Sequence, residues 1–142
     1  MERSVYNKSN EVTEVALKRF DKNYSKKLLN DTNRLKDGFE LLNYLCDKFK
    51  ISPIKRLIIL DKPRKQIKNG QIHGYYVRNN REIYIYNKTA KTNKIIAINR
   101  FYETLLHEFI HHYDFEKLKL SDSPHTSGFY KRITDLMKKI TE

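Results

Sequence analysis

Residues 107–111 read His-Glu-Phe-Ile-His, an H-E-x-x-H pentapeptide inside the apolar-periodic run 98–115. An α-helix takes about 3.6 residues per turn, so side chains four apart share a face. His107 and His111 can therefore offer ring nitrogens to one metal ion. Glu108 is rotated about 100° from His107 and can stand beside that ion without ligating it, where a general base for a water is wanted. Leu105, Leu106, Phe109, Ile110 and Tyr113 supply the apolar contacts of a packed helix, and no Gly or Pro interrupts. The plain alternative is an ordinary helix with two surface histidines and a surface glutamate.

A hydrolytic zinc site takes three protein ligands and keeps a fourth position for water. Downstream of the motif, Asp114, Glu116, Asp122, His125 and Asp135 are the candidates. A metzincin spacing would put a third His six residues after His111, where Lys117 stands, and a gluzincin-like site would need a later Glu, for which only Glu142 remains. Imidazole is a favoured zinc ligand, so His125 ranks first. Asp114, three residues past His111 on nearly the same face, is better placed to orient a ligand than to be one. Ser123-Pro124 predicts an N-cap and first residue of a final helix, with His125 in its first turn. Phe129, Ile133, Leu136, Met137 and Ile140 make that helix's apolar stripe.

The segments Glu103-Thr104-Leu105-Leu106-His107-Glu108-Phe109-Ile110-His111 and His125-Thr126-Ser127-Gly128-Phe129 together resemble the SprT-like (Spartan) family of zinc metallopeptidases. That family pairs H-E-x-x-H with a later His opening an H-G-x-x-F element. His125 and Phe129 keep the His-to-Phe spacing, while Thr126 stands where the family has Gly. Gly74-Tyr75-Tyr76 and the strand 82–87 look like the hairpin that precedes the catalytic helix in such proteins. The resemblance spans roughly residues 70–135. It implies zinc held by His107, His111 and His125, peptide-bond hydrolysis with Glu108 as base, and substrates that include proteins attached to DNA. Some family members continue into a zinc ribbon, which a chain ending at Glu142 with one cysteine is not expected to carry.

With 142 residues the chain fits one domain, 1–142, with a single core. Its net charge is +12, from 29 Lys and Arg against 17 Asp and Glu. Lys48, Lys50, Lys55, Arg56, Lys62, Arg64, Lys65 and Lys68 crowd one stretch, and Lys131, Arg132, Lys138 and Lys139 form a second group. A basic surface concentrates polyanions and makes their binding salt-dependent, so DNA is an expected partner beside the protein substrate. A solvated surface in a lysine-rich proteome explains the same charge equally well. No apolar run is long enough to span a membrane, and residues 1–10 carry no leader-like h-region. Cys46 is the lone cysteine, most simply a buried thiol. These features predict an intracellular protein, cytoplasmic or nuclear, made by a cell or by a virus within one.

The elements that must position the motif follow from hydrophobic period. A helix is expected over 11–29, with Val12, Val15, Ala16, Phe20 and Leu28 on one side. A second, capped by Asp31 or Thr32, should run to about Lys50 on the stripe Leu35, Phe39, Leu42, Leu45, Cys46 and Phe49. Ile54 and 57–60 read as a buried strand bounded by Asp61 and Pro63, and 64–70 as a basic loop. Strands are expected at 72–77 and 82–86, joined by a turn at 78–81 in which Asn adopts positive φ. Ile83 and Ile85 should face the core, opposite Tyr84 and Tyr86. Residues 88–94 read as a polar linker. The expected fold is α+β and zincin-like: N-terminal helices, about three strands, the H-E-x-x-H helix and a C-terminal helix. His73 and the tyrosines at 75, 76 and 130 read as strand and packing residues.

The leading expectation is a zinc-dependent endopeptidase. The alternatives are a basic nucleic-acid-binding module with a structural or vestigial metal site, and a zinc enzyme acting on another amide or on a single partner protein.

Overall fold

A computed structural model of the chain describes residues 3–17, 31–68 and 70–141. The fold is α+β. Its helices are α1 (Arg3–Glu11), α2 (Arg34–Phe49), α3 (Ile98–Glu116) and α4 (Ser127–Thr141). The strands are β1 (Arg56–Pro63), β2 (Lys65–Ile67), β3 (Gly70–Ile72), β4 (Gly74–Val77) and β5 (Glu82–Lys88).

Strand β5 is central in a mixed sheet of order β1-β5-β4. It runs parallel to β1, with Leu57 opposite Ile83 and Ile59 opposite Ile85. It runs antiparallel to β4, with Tyr76 opposite Ile83. Ile83 and Ile85 are wholly buried while Tyr84 and Tyr86 lie half-buried on the other face, as the alternation predicts. Tyr75 stacks on Tyr84 at 4.5 Å between ring centroids, a cross-strand aromatic pair on that outer face. Helix α3 packs on the inner face, where Phe101, Leu105, Leu106, Phe109 and Ile110 are fully buried. Leu41, Leu42, Leu45 and Phe49 of α2 close the same core.

Several expectations are corrected. Asn33 caps α2, its side chain accepting from the Lys36 N–H at 3.0 Å, whereas Asp31 pairs with Arg34 at 2.7 Å. Leu35 is exposed, because the buried stripe of α2 begins at Gly38 and Leu41. Only Leu57 of the 57–60 run is fully buried, and β1 continues through Asp61 to Pro63. The expected basic loop instead folds into β2, which pairs with β3 in a separate two-stranded sheet. The single strand expected over 72–77 breaks at His73 between these sheets. In the turn before β5 the positive φ falls on Arg81, not on either Asn. Helix α4 begins at Ser127 with the Thr126 hydroxyl accepting from the Phe129 N–H at 3.0 Å, so Ser123 is not its cap and His125 precedes the helix.

The N-terminal helix also differs. It occupies Arg3–Glu11, and residues 12–17 are not helical; the remainder of the expected helix, with Phe20 and Leu28, lies outside the described residues. An apolar stripe could not reveal α1, because polar contacts dock it. The buried Ser9 hydroxyl meets Thr126 at 2.9 Å, and Asn10 accepts from the Gly128 N–H at 3.1 Å. Arg132 donates to the Ser9 and Val12 carbonyls. Two glycines permit close approaches. A Cβ on Gly74 would meet the Tyr84 carbonyl at 2.5 Å, and one on Gly128 would overlap the Ser9 carbonyl and come within 2.7 Å of the Asn10 carbonyl. Among the described residues no helix is long and apolar enough to cross a membrane.

Gly128→Ala should therefore destabilise the fold by about 1–3 kcal/mol, the usual scale of overpacking. Helix propensity alone favours Ala by about 1 kcal/mol, so the sign of the shift in the urea midpoint separates the two effects.

Candidate metal centre

The straight, uninterrupted helix α3 carries His107 and His111 on one face, as a spacing of four requires. The segment between α3 and α4 brings His125 back across them. The His125 Nε2 lies 3.3 Å from the His107 Nε2 and 3.1 Å from the His111 Nε2. With zinc–imidazole bonds of about 2.0–2.1 Å, tetrahedral ligands stand roughly 3.3 Å apart, so these nitrogens fit one ion. Among the described residues no other His, Cys, Asp or Glu joins the cluster. The geometry suits a metal ion without naming the element.

Phe129 underlies all three rings. Its centroid is 5.0 Å from His107, 4.7 Å from His111 and 5.0 Å from His125, and the residue is wholly buried. That contact gives a physical reason for the His-to-Phe spacing: the aromatic ring one turn into α4 packs the imidazoles it helps to assemble.

Asp114 is not a ligand. Its carboxylate accepts from the Ser123 hydroxyl at 2.8 Å, and Ser123 in turn lies 2.8 Å from the His111 Nδ1. The single Ser123 proton points to Asp114, so the hydroxyl can only accept from His111. This places the His111 proton on Nδ1 and leaves the Nε2 lone pair toward the cluster. Arg132 completes the set, donating to both Asp114 oxygens at 3.0 and 2.8 Å, with both side chains fully buried. Neither Ser123 nor Arg132 was expected in this role. Ser123 carried a capping signal and Arg132 sat in a charge cluster, and only the packed structure turns both inward.

Burial sets the electrostatics. It pushes His107 down to about 4, with the His125 and His73 charges adding to the effect. It pushes His111 down to about 3, helped by His107 and His125, and lowers His125 as well. All three imidazoles are thus neutral donors at neutral pH, which a metal requires. Burial alone raises the Glu108 carboxyl to about 8. A Glu108 oxygen lies 4.0 Å from the His107 Nε2, beside the cluster but outside it.

Glu108, His107 and His125 open onto a cavity of about 590 Å³. Its lining also includes His73 and Tyr130. The Tyr76 hydroxyl is turned elsewhere, donating at 2.6 Å to the Nδ1 of buried His112, whose Nε2 donates at 2.6 Å to the Ser52 carbonyl. Asp122 accepts from the Ser123 N–H, and Asp135 accepts from the Val15 N–H and pairs with Lys139. Cys46 is buried and its thiol is pushed up to about 11, which removes it as a nucleophile.

No protein-family model matches the chain, and no curated protein or solved structure matches it either.

Ser123→Ala should weaken metal-ion affinity about 10–100-fold, the usual effect of removing a group that orients a ligand; competition with a chromogenic chelator measures it. Glu108 also links stability to pH. The unfolded chain releases this proton near 4.5 and the folded metal-free chain near 8, so the folded state holds more protons between those values and loses stability as pH rises through them. Metal-free Glu108→Gln should therefore exceed the native protein in urea midpoint at pH 8, with the gap closing below about 4.5.

Proposed function

We propose that this chain is a zinc-dependent endopeptidase of SprT-like type, with His107, His111 and His125 as metal ligands and Glu108 as general base. The observation that carries the reading is the convergence of three imidazole Nε2 atoms, with no fourth ligand side chain among the described residues, at a cavity into which a buried carboxylate also opens. A purely structural site would favour a closed fourth position. The H-E-x-x-H and His-x-x-x-Phe elements support the family assignment, and helix α3 packed beneath a mixed sheet supports a zincin-like architecture.

Zinc held there would acidify a water and polarise the scissile carbonyl. Glu108 takes the proton as the water oxygen bonds to the carbonyl carbon. It returns the proton to the amine nitrogen as the C–N bond breaks. Burial holds Glu108 protonated in the metal-free chain, and the charge of a bound dication would favour the ionised form that a base requires. Strand β4 is an edge of its sheet, and Gly74 at its start lines the cavity. An extended polypeptide added to that edge would cross the three imidazoles. The net charge of +12 supports substrates held on nucleic acid, DNA-associated proteins in particular. The same charge is what favours the alternative of a nucleic-acid-binding module with a structural metal.

Glu108→Gln should keep stoichiometric zinc and lose about 10²–10⁴ in turnover of an unstructured protein substrate. His125→Ala should lose zinc as well as turnover, measured by metal analysis of the purified protein. Unimpaired proteolysis by Glu108→Gln would remove the base assignment, and unchanged zinc affinity in His125→Ala would remove the third ligand. Zinc-dependent folding with no hydrolysis of any polypeptide would favour the binding module.

A further inference from the structure

The cavity onto which His107 and His125 open is also lined by two arginines, Arg64 and Arg100. They differ in how they are matched. Arg100, in the first turn of α3, pairs with Glu103 at 2.9 Å, but both side chains are largely exposed and the pair is weakly held. Arg64 has no ion-pair partner among the described residues, and its Nε is buried without a hydrogen-bond acceptor. Its backbone is fixed between β1 and β2 by an N–H bond to the Lys88 carbonyl at 2.9 Å, so the side chain projects from a rigid base. A buried donor without an acceptor is met when a bound group supplies one.

The surroundings place this donor next to the chemistry. Burial and the nearby charge of Arg100 lower Arg64, and Glu103 opposes them. Arg64 and Arg100 also depress His73, and His73 acts on His107. Arg64, Arg100, His73, His107 and His125 all line the one cavity. Ile67 and Ile72 of the β2–β3 hairpin line it as well, offering apolar contact beside the cations.

We propose that Arg64, assisted by Arg100, forms an anion-recognising subsite that takes a side-chain carboxylate of the polypeptide substrate close to the scissile bond. This deepens the peptidase reading and rests on it. A guanidinium presents a planar fork that matches a carboxylate through two parallel hydrogen bonds. The isoleucines suit the methylenes of a glutamate better than a solvated sugar–phosphate chain. Glu103 in the same lining would repel an extended polyphosphate more than one carboxylate, so a single carboxylate on a peptide fits better than nucleic acid. The basic surface elsewhere on the chain does not enter this selection, since it attracts any polyanion and is screened by salt.

The test uses zinc-loaded full-length Glu108→Gln, which binds without turnover, and two fluorescein-labelled unstructured peptides that differ only in Glu against Gln residues. At near-physiological salt, anisotropy should show the Glu peptide binding about tenfold more tightly, the scale of one charge-assisted hydrogen-bond pair. Adding Arg64→Gln should bring that ratio toward one, and adding Arg64→Lys should keep part of it. Equal binding of the two peptides, or a preference that survives Arg64→Gln, overturns the subsite. A single-stranded oligonucleotide that displaces the Glu peptide more effectively than unlabelled Glu peptide does, and loses that advantage with Arg64→Gln, overturns the carboxylate in favour of phosphate. Cleavage by the native protein separates this proposal from the one beneath it. Equal cleavage of both peptides sinks the subsite and leaves the peptidase standing. An Arg64-dependent binding preference with no cleavage of either peptide keeps the anion site and sinks the peptidase.

Discussion

A single buried carboxylate organises the molecule. Asp114 lies near the end of α3 with no exposure to solvent, and an unpaired charge there would be untenable. It is met by both arms of Arg132 from α4 and by the Ser123 hydroxyl from the connecting segment. Removing one partner of such a pair leaves an uncompensated buried charge, a penalty of about 3–5 kcal/mol. Arg132 is shared further, donating to Ser9 in α1 and to Val12 just past it. One ion pair thus joins the N-terminal helix, the motif helix and the final helix. Through Ser123 it also sets the tautomer of His111. The network that holds the fold together also orients His111, one of the three imidazoles that could hold a metal ion.

The electrostatic state of the cluster follows from burial acting in opposite directions on bases and acids. The histidines are held neutral and Glu108 is held protonated in the metal-free chain near neutrality. The three imidazoles and Glu108 therefore carry little charge of their own, although together they are poised to accept a cation. A dication would reverse the cost of ionising Glu108, since the local charge of a bound ion outweighs desolvation at short range. Binding an ion and ionising Glu108 would then be one electrostatic event.

Within the chain, periodic apolar segments were legible and polar ones were not. The bounds of α3 and the facing of Ile83 and Ile85 follow directly from hydrophobic period. Helix α1 escaped detection because its docking face is Ser9 and Asn10 against Thr126, Gly128 and Arg132, a hydrogen-bonded contact with no apolar signature. The β2–β3 hairpin escaped for a related reason: it is short, exposed and lysine-rich, and its pairing is backbone-driven. Ser123 was misread because a serine before proline carries a strong local capping signal. Its tertiary partners, His111 and Asp114, outcompete that signal, and α4 starts instead at Ser127 with Thr126 as its cap.

By itself the sequence determined what local periodicity can encode: the motif helix, the shared face of His107 and His111, the offset of Glu108, and the core alternation of the central strand. Helical geometry is a property of neighbours in the chain, so those relations hold wherever the helix is placed. The tertiary structure alone decided that His125 reaches the same point as the other two imidazoles. It also decided that Asp114 acts through Ser123, and that Arg64 and Arg100 face the cavity. Those relations join residues far apart in the chain and arise only from packing: buried Phe129 and the Asp114–Arg132 pair join α4 to α3, and the Lys88 carbonyl fixes the Arg64 backbone between β1 and β2.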